Sequence, residues 1–177
     1  LPYFEYAPGY QFLHCLINSA KGGNSSVVDG FAVSNYLRKK EKKIFKILTT
    51  THVKFKDTDY TQKAIRVLYS PLITLTKDND FNDIRFNMAA MGIIDIDFSK
   101  MKKFYEAYQI FAKLLHSNKF KIDFRLEAGD IFCFNNRRVL HGRTAFDPKS
   151  GNRHLQGYYL ERDEILARLN YFNNLKV

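Results

Sequence analysis

Phe120-Lys121-Ile122-Asp123-Phe124-Arg125-Leu126 decides the fold class. Apolar and charged residues alternate with a period of two, the pattern of a strand with one buried face and one wet face. Glu127-Ala128-Gly129-Asp130 then reads as a turn, and Ile131 to Phe134 and Val139 to His141 as two more strands. Thr144 to Asn152, with Asp147-Pro148 and Ser150-Gly151, is a hairpin-like loop. Arg153 to Leu160 is a final strand, and Arg162 to Asn173 an amphipathic closing helix.

Upstream, Gly9 to Ile17 is apolar and β-prone, and Asn18 to Asn24 is a polar turn containing Gly22-Gly23. Ser26 to Val28 is a short strand ending at Asp29-Gly30. From Phe31 to Leu48 the spacing of Val33, Leu37, Ile44, Phe45 and Leu48 predicts one helix. Strands are expected at Thr51 to Lys56, Leu72 to Thr76 and Ile84 to Asn87, the last two joined through Lys77 to Asp80. A second helix, Ser99 to His116, places Met101, Phe104, Tyr105, Tyr108, Phe111, Ala112 and Leu115 on one face. Short antiparallel strands punctuated by turns imply a sheet sandwich or barrel with helices packed outside. No Gly-rich phosphate loop supports a doubly wound alternative.

With 177 residues the chain is long enough for one domain, read as residues 1–177 without a linker or repeat. No apolar run reaches the length of a membrane span, so no membrane partner is expected. Cys15 and Cys133 cannot build a disulfide framework, and a reducing compartment is the default. The chain opens with Leu1 rather than Met and shows no signal-like segment after it, so something upstream is expected to have been lost. The net charge of +10 raises nucleic acid or an anionic small molecule as partners. Its densest part, Arg38, Lys39, Lys40, Lys42 and Lys43, falls on the polar stretch of a helix and carries no nucleic-acid motif, so it reads as a solvated face and no nucleic-acid partner is expected.

The segment rich in chemistry is Asn135-Asn136-Arg137-Arg138-Val139-Leu140-His141-Gly142-Arg143, with Asn152-Arg153-His154-Leu155-Gln156-Gly157-Tyr158-Tyr159. A neutral imidazole is a common transition-metal ligand, and a guanidinium is a rigid fork for a carboxylate. A hairpin through the intervening loop would bring His141 and Arg153 onto neighbouring strands. Alternation sets Arg153, Leu155, Gly157 and Tyr159 on one face, with room for a ligand at Gly157. The pair suits a metal-bound dicarboxylate, although a His and an Arg flanking a hairpin are also common as purely structural residues.

Leu140-His141-Gly142-Arg143, Arg153 to Tyr159, Gly22-Gly23-Asn24-Ser25-Ser26-Val27-Val28-Asp29-Gly30-Phe31, Gly9 to Leu16 and Ala128-Gly129-Asp130 occur in the order of one family. Over essentially its whole length the chain resembles the iron- and 2-oxoglutarate-dependent dioxygenases of carnitine biosynthesis. The resemblance implies a mixed α and β chain: a double-stranded β-helix (jelly roll) with flanking helices, incomplete at its amino-terminal end. It implies Fe(II) in a two-His, one-carboxylate triad, 2-oxoglutarate as cosubstrate, O₂, and ascorbate as an accompanying reductant. The implied activity is hydroxylation of γ-butyrobetaine to carnitine, with trimethyllysine as the second candidate among trimethylammonium substrates and a truncated, inactive relative as a further alternative. A cytoplasmic homodimer is expected, with a mitochondrial location as the alternative.

Residue by residue, the resemblance implies that His141 is the distal iron ligand and catalytic, and that Arg153 and Ser25 contact 2-oxoglutarate. It gives Asn87 to the substrate carboxylate, and Tyr159 to the substrate ammonium, which the face of a ring attracts. The family's His-x-Asp motif would lie just before Leu1, and most of its aromatic cage further upstream. Asn135 stands where relatives carry Asp and Arg137 where they often carry an aromatic residue.

Overall fold

The computed structural model describes residues 2–92 and 94–175. In chain order the elements are β1 (Tyr10–Asn18), β2 (Lys21–Gly22), β3 (Ser25–Asp29), α1 (Gly30–Lys40), α2 (Lys42–Thr50), β4 (Val53–Asp59), β5 (Ala64–Ser70), β6 (Ile73–Leu75), β7 (Phe81–Ile84), α3 (Phe98–Leu115), β8 (Lys121–Phe124), β9 (Ile131–Asn135), β10 (Val139–Arg143), β11 (Phe146–Asp147), β12 (Arg153–Leu160) and α4 (Arg162–Asn174). Two three-stranded sheets have the orders β12-β1-β9 and β10-β3-β8, and β11-β2, β4-β5 and β6-β7 form pairs. From β8 onward the chain alternates between the two larger sheets, β8 and β10 joining one and β9 and β12 the other. No helix among the described residues is long and apolar enough to cross a membrane.

The chain divides into two compact units. One comprises residues 2–7, Val28–Ile122 and Arg138–Leu140. Its core is built by Val33 and Leu37 of α1, Leu48 of α2, Val53 and Phe55 of β4, Ile73 and Ile84, and Phe104, Ala107, Phe111 and Leu115 of α3. Asp29 caps α1, accepting from the backbone N–H of Phe31 and Ala32. Asp97 caps α3 through Ser99. The face of α3 that turns inward follows the expected spacing, except that Tyr105 is exposed. Buried Arg85 pairs with Asp83 at 2.7 Å and donates to the carbonyls of Pro2, Phe4 and Glu5, which fixes that segment.

Four local expectations change in this unit. The strand expected at Ile84 to Asn87 lies earlier, as β7 at Phe81–Ile84. The single helix expected from Phe31 to Leu48 is two, because Glu41 leaves helical dihedrals at φ −132° and ψ 59°. Apolar spacing runs unchanged through the break and no Gly or Pro marks it, so periodicity hides it. Strand β5 is an addition to the expected strands; it pairs antiparallel with all of β4 while Ile65, Val67 and Tyr69 face solvent. The basic run is exposed at its lysines, but Arg38 lies 4.0 Å over the Phe81 ring and donates to the Asn79 carbonyl.

The second unit comprises Pro8–Val27, Asp123–Arg137 and residues 141–175. Its sheet sets β1 antiparallel to both β12 and β9. A bulge at Leu16 shifts the register, so that Cys15 faces Leu155 and Asn18 faces Arg153. Arg125 donates to the carbonyls of Asn18, Ala20 and Gly22, tying down the turn that follows β1. Expected alternation along Phe120 to Leu126 breaks at Ile122, which is exposed, although Leu126 is buried. Helix α4 buries none of its residues, Leu169, Tyr171 and Phe172 included, and so lacks the packed apolar face expected of it.

Candidate active site

The inward face of the sheet in the second unit follows from its register. Cross-strand partners share a face. Tyr159, Gln11 and Phe134 therefore form one row across β12, β1 and β9, and Gly157, Leu13 and Phe132 the next. Leu155 pairs with Cys15, and Arg153 ends the series opposite Asn18. The face expected for Arg153, Leu155, Gly157 and Tyr159 is thus the face of Gln11, Leu13 and Cys15. A Cβ placed on Gly157 would meet only the Leu13 side chain, at 3.9 Å, so space remains there.

His141 stands on β10, its ring 4.7 Å from that of Phe134. It is open to solvent on one side, yet the protein around it pushes the imidazole below its ordinary pKa through desolvation. That direction favours the neutral imidazole, the form that binds a metal. Strand β10 belongs to the β10-β3-β8 sheet and β12 pairs with β1, so His141 and Arg153 do not lie on neighbouring strands of one hairpin. The connection between β10 and β12 instead crosses from sheet to sheet, and its middle, β11, pairs with β2.

Arg153 is half-buried, and its Nε is buried with no hydrogen-bond partner. Desolvation and the nearby Arg143 lower its pKa, although a guanidinium stays charged at neutral pH. Gly23 lies directly against it: a Cβ there would come within 3.1 Å of Nε and 3.3 Å of the Phe146 Cβ. With φ at +72°, Gly23 also holds a backbone conformation that favours glycine. Two residues on, Ser25 is buried at the start of β3. A confined guanidinium with no carboxylate partner among the described residues is a fit receptor for one end of a dicarboxylate.

His141, Arg153, Ser25 and Tyr159 fall in the second unit; Asn87 falls in the first, where it is exposed and its Oδ1 accepts from the Ala89 N–H at 2.9 Å. Asn135 accepts from the Arg137 N–H at 3.0 Å, so the turn that an Asp would make at this position survives. No group of three His, Cys, Asp or Glu side chains able to hold a metal occurs among the described residues. His141 therefore belongs to no such group among them, and one imidazole does not make up a three-ligand iron site.

Sequence reasoning missed Gln11, whose Oε1 is buried without a partner between Phe134 and Tyr159. A polar residue on the inward phase of an apolar strand was the available signal. Arg125 was also missed, because its role depends on carbonyls more than 100 residues away in sequence.

A family described as taurine catabolism dioxygenase TauD, TfdA family matches residues 1–159. A γ-butyrobetaine dioxygenase from Pseudomonas sp. (strain AK-1) is 42% identical over 169 residues, covering 96% of this chain and 44% of that protein. The γ-butyrobetaine dioxygenase of Homo sapiens is 34% identical over 172 residues, covering 95% of this chain and 44% of its own length. The chain therefore spans less than half the length of these relatives. Among solved structures, asparagine oxygenase in complex with Fe(II), 2S,3S-3-hydroxyasparagine and succinate superposes with a TM-score of 0.68 at 20% identity, over 90% of this chain and 47% of that one. That likeness carries the jelly-roll fold. From the order of its strands, its motifs and a match over most of its length, the chain belongs to the TauD/TfdA dioxygenase family.

Proposed function

We propose that this chain is the 2-oxoglutarate-binding, His141-bearing part of a dioxygenase that hydroxylates γ-butyrobetaine to carnitine with Fe(II) and O₂. The observation that carries the reading is the half-buried Arg153, which has no carboxylate partner among the described residues and is held against Gly23. A guanidinium in that state is stabilised by an anion that the described residues do not supply.

The residues then divide the work. Arg153 takes the far carboxylate of 2-oxoglutarate as a fork, and Ser25 adds a hydroxyl donor. Gly157 leaves the space the ligand occupies, and the ring of Tyr159 attracts a trimethylammonium group. Phe134 packs against the His141 ring and limits its rotation. Bound Fe(II) would supply the oxidising chemistry, with His141 as one of its ligands. Ascorbate as reductant and a homodimeric assembly belong to the same proposal.

The test is an assay of the intact gene product with Fe(II), 2-oxoglutarate and either γ-butyrobetaine or trimethyllysine, with and without ascorbate, following succinate and the hydroxylated product by mass spectrometry. Succinate coupled to carnitine is the expected result, and His141→Ala should remove it. Coupling to trimethyllysine alone would transfer the assignment to that substrate. No succinate with either would overturn the reading.

A further inference from the structure

Arg143 follows His141 by two residues on β10, so the two side chains leave the strand on the same face. Its guanidinium carbon lies 4.5 Å from the centre of the Phe146 ring, and that of Arg153 lies 5.7 Å from the same centre. One ring thus gathers two guanidinium groups. Neither makes an ion pair with a carboxylate among the described residues, and Arg125, a further cation that acts on Arg153, is already occupied by three backbone carbonyls. Arg143 contributes to the lowering of the Arg153 pKa, which places the two charges within mutual reach.

Two like charges converging on one ring without a counter-ion repel each other, and each cation–π contact offsets only part of that cost. The arrangement becomes favourable when an anion sits between them. A fork on Arg153 leaves lone pairs of a carboxylate free, and a second guanidinium can take them.

We propose that Arg143 is a second cationic arm for the far carboxylate of the 2-oxo acid cosubstrate, sharing it with Arg153 across Phe146. This rests on the reading of Arg153 given under Proposed function. The site therefore selects a dicarboxylate over a 2-oxo monocarboxylate by two charges rather than one, and Phe146 sets the spacing between them.

The experiment measures binding of 2-oxoglutarate and of 2-oxopentanoate, which lacks the far carboxylate, to the Mn(II)-loaded intact gene product by calorimetry. It compares the natural protein with Arg143→Gln and Arg143→Lys. Arg143→Gln should weaken 2-oxoglutarate about five- to tenfold and leave 2-oxopentanoate unchanged, and Arg143→Lys should keep most of the preference because a point charge still reaches. Equal weakening of both ligands would show that Arg143 only supports the fold, and unchanged binding of both would show that it is a solvated surface charge; either overturns the proposal. If the natural protein itself does not prefer 2-oxoglutarate, the reading of Arg153 fails first, and the proposal with it.

Discussion

Arg138 grips Asp29 side-on, with Nε 3.1 Å from both carboxylate oxygens and Nη2 2.5 Å from one of them. The same carboxylate caps α1, and the Arg138 carbonyl accepts from the Gly30 N–H at 2.9 Å. One aspartate therefore ties the start of a helix to the residue that leads into β10, three positions before His141. A Cβ on Gly30 would approach that carbonyl to 2.9 Å, so glycine permits the contact.

Asp29→Ala should destabilise the protein by about 1–2 kcal/mol, from the lost cap and the unpaired guanidinium. Burial alone would raise the Asp29 pKa, but hydrogen bonds from Arg138 and from the Ala32 and Phe31 N–H groups hold it below the ordinary carboxylate value. A carboxylate depressed in the folded state contributes stability that is complete above its unfolded pKa, about 4, and is lost as pH falls through the folded value. Urea midpoints at pH 7 and pH 3 should converge for the natural protein and the variant at the lower pH. A constant gap would show that the charge is immaterial.

Gly23→Ala should weaken 2-oxoglutarate binding about three- to tenfold and cost about 1 kcal/mol in stability, because a methyl group at φ +72° is strained and presses on Arg153. Gly22→Ala is the control. Its Cβ would meet the Ala145 carbonyl at 2.5 Å, so stability should fall more while the preference for 2-oxoglutarate over 2-oxopentanoate persists. Calorimetry and a thermal melt on each variant decide the matter.

Arg153→Lys should raise the 2-oxoglutarate requirement by about 2–3 kcal/mol, roughly 30- to 150-fold, and change the γ-butyrobetaine requirement far less. The ammonium keeps the charge and loses the fork. Steady-state titration of each substrate measures the split, and equal effects on both would assign Arg153 a structural role.

Arg85→Met should destabilise the intact protein by about 3–5 kcal/mol, since it leaves Asp83 buried beside lost donors and frees the Pro2, Phe4 and Glu5 carbonyls. Adding Asp83→Asn should recover part of the loss. Denaturant unfolding of the two single variants and the double variant measures it; a loss below about 1 kcal/mol for Arg85→Met would mean that the pair is replaceable.

Much of the local structure was legible in the chain because it is set by neighbours a few residues apart. The turn at Glu127 to Asp130 marked the start of β9, period-two alternation marked β12, the 3.6-residue spacing of Phe104, Phe111 and Leu115 marked α3, and Gly22-Gly23 marked the turn after β1. Where a local signal was silent the reading failed. Glu41 breaks a helix inside an unbroken apolar period, and β5 exposes the apolar residues that alternation would bury.

The sequence by itself marked His141, Arg153, Ser25 and Tyr159 as the candidates for the chemistry, by type, by position along the strands and by the family motifs around them. Tertiary structure decided which of them meet. Pairing between strands is fixed by hydrogen bonds and side-chain packing that join positions more than a hundred residues apart, and a strand's own pattern states which face is buried without naming its partner. So the expected hairpin of His141 and Arg153 became two strands of different sheets, Gln11 came to lie between Phe134 and Tyr159, and Arg143 joined Arg153 at Phe146.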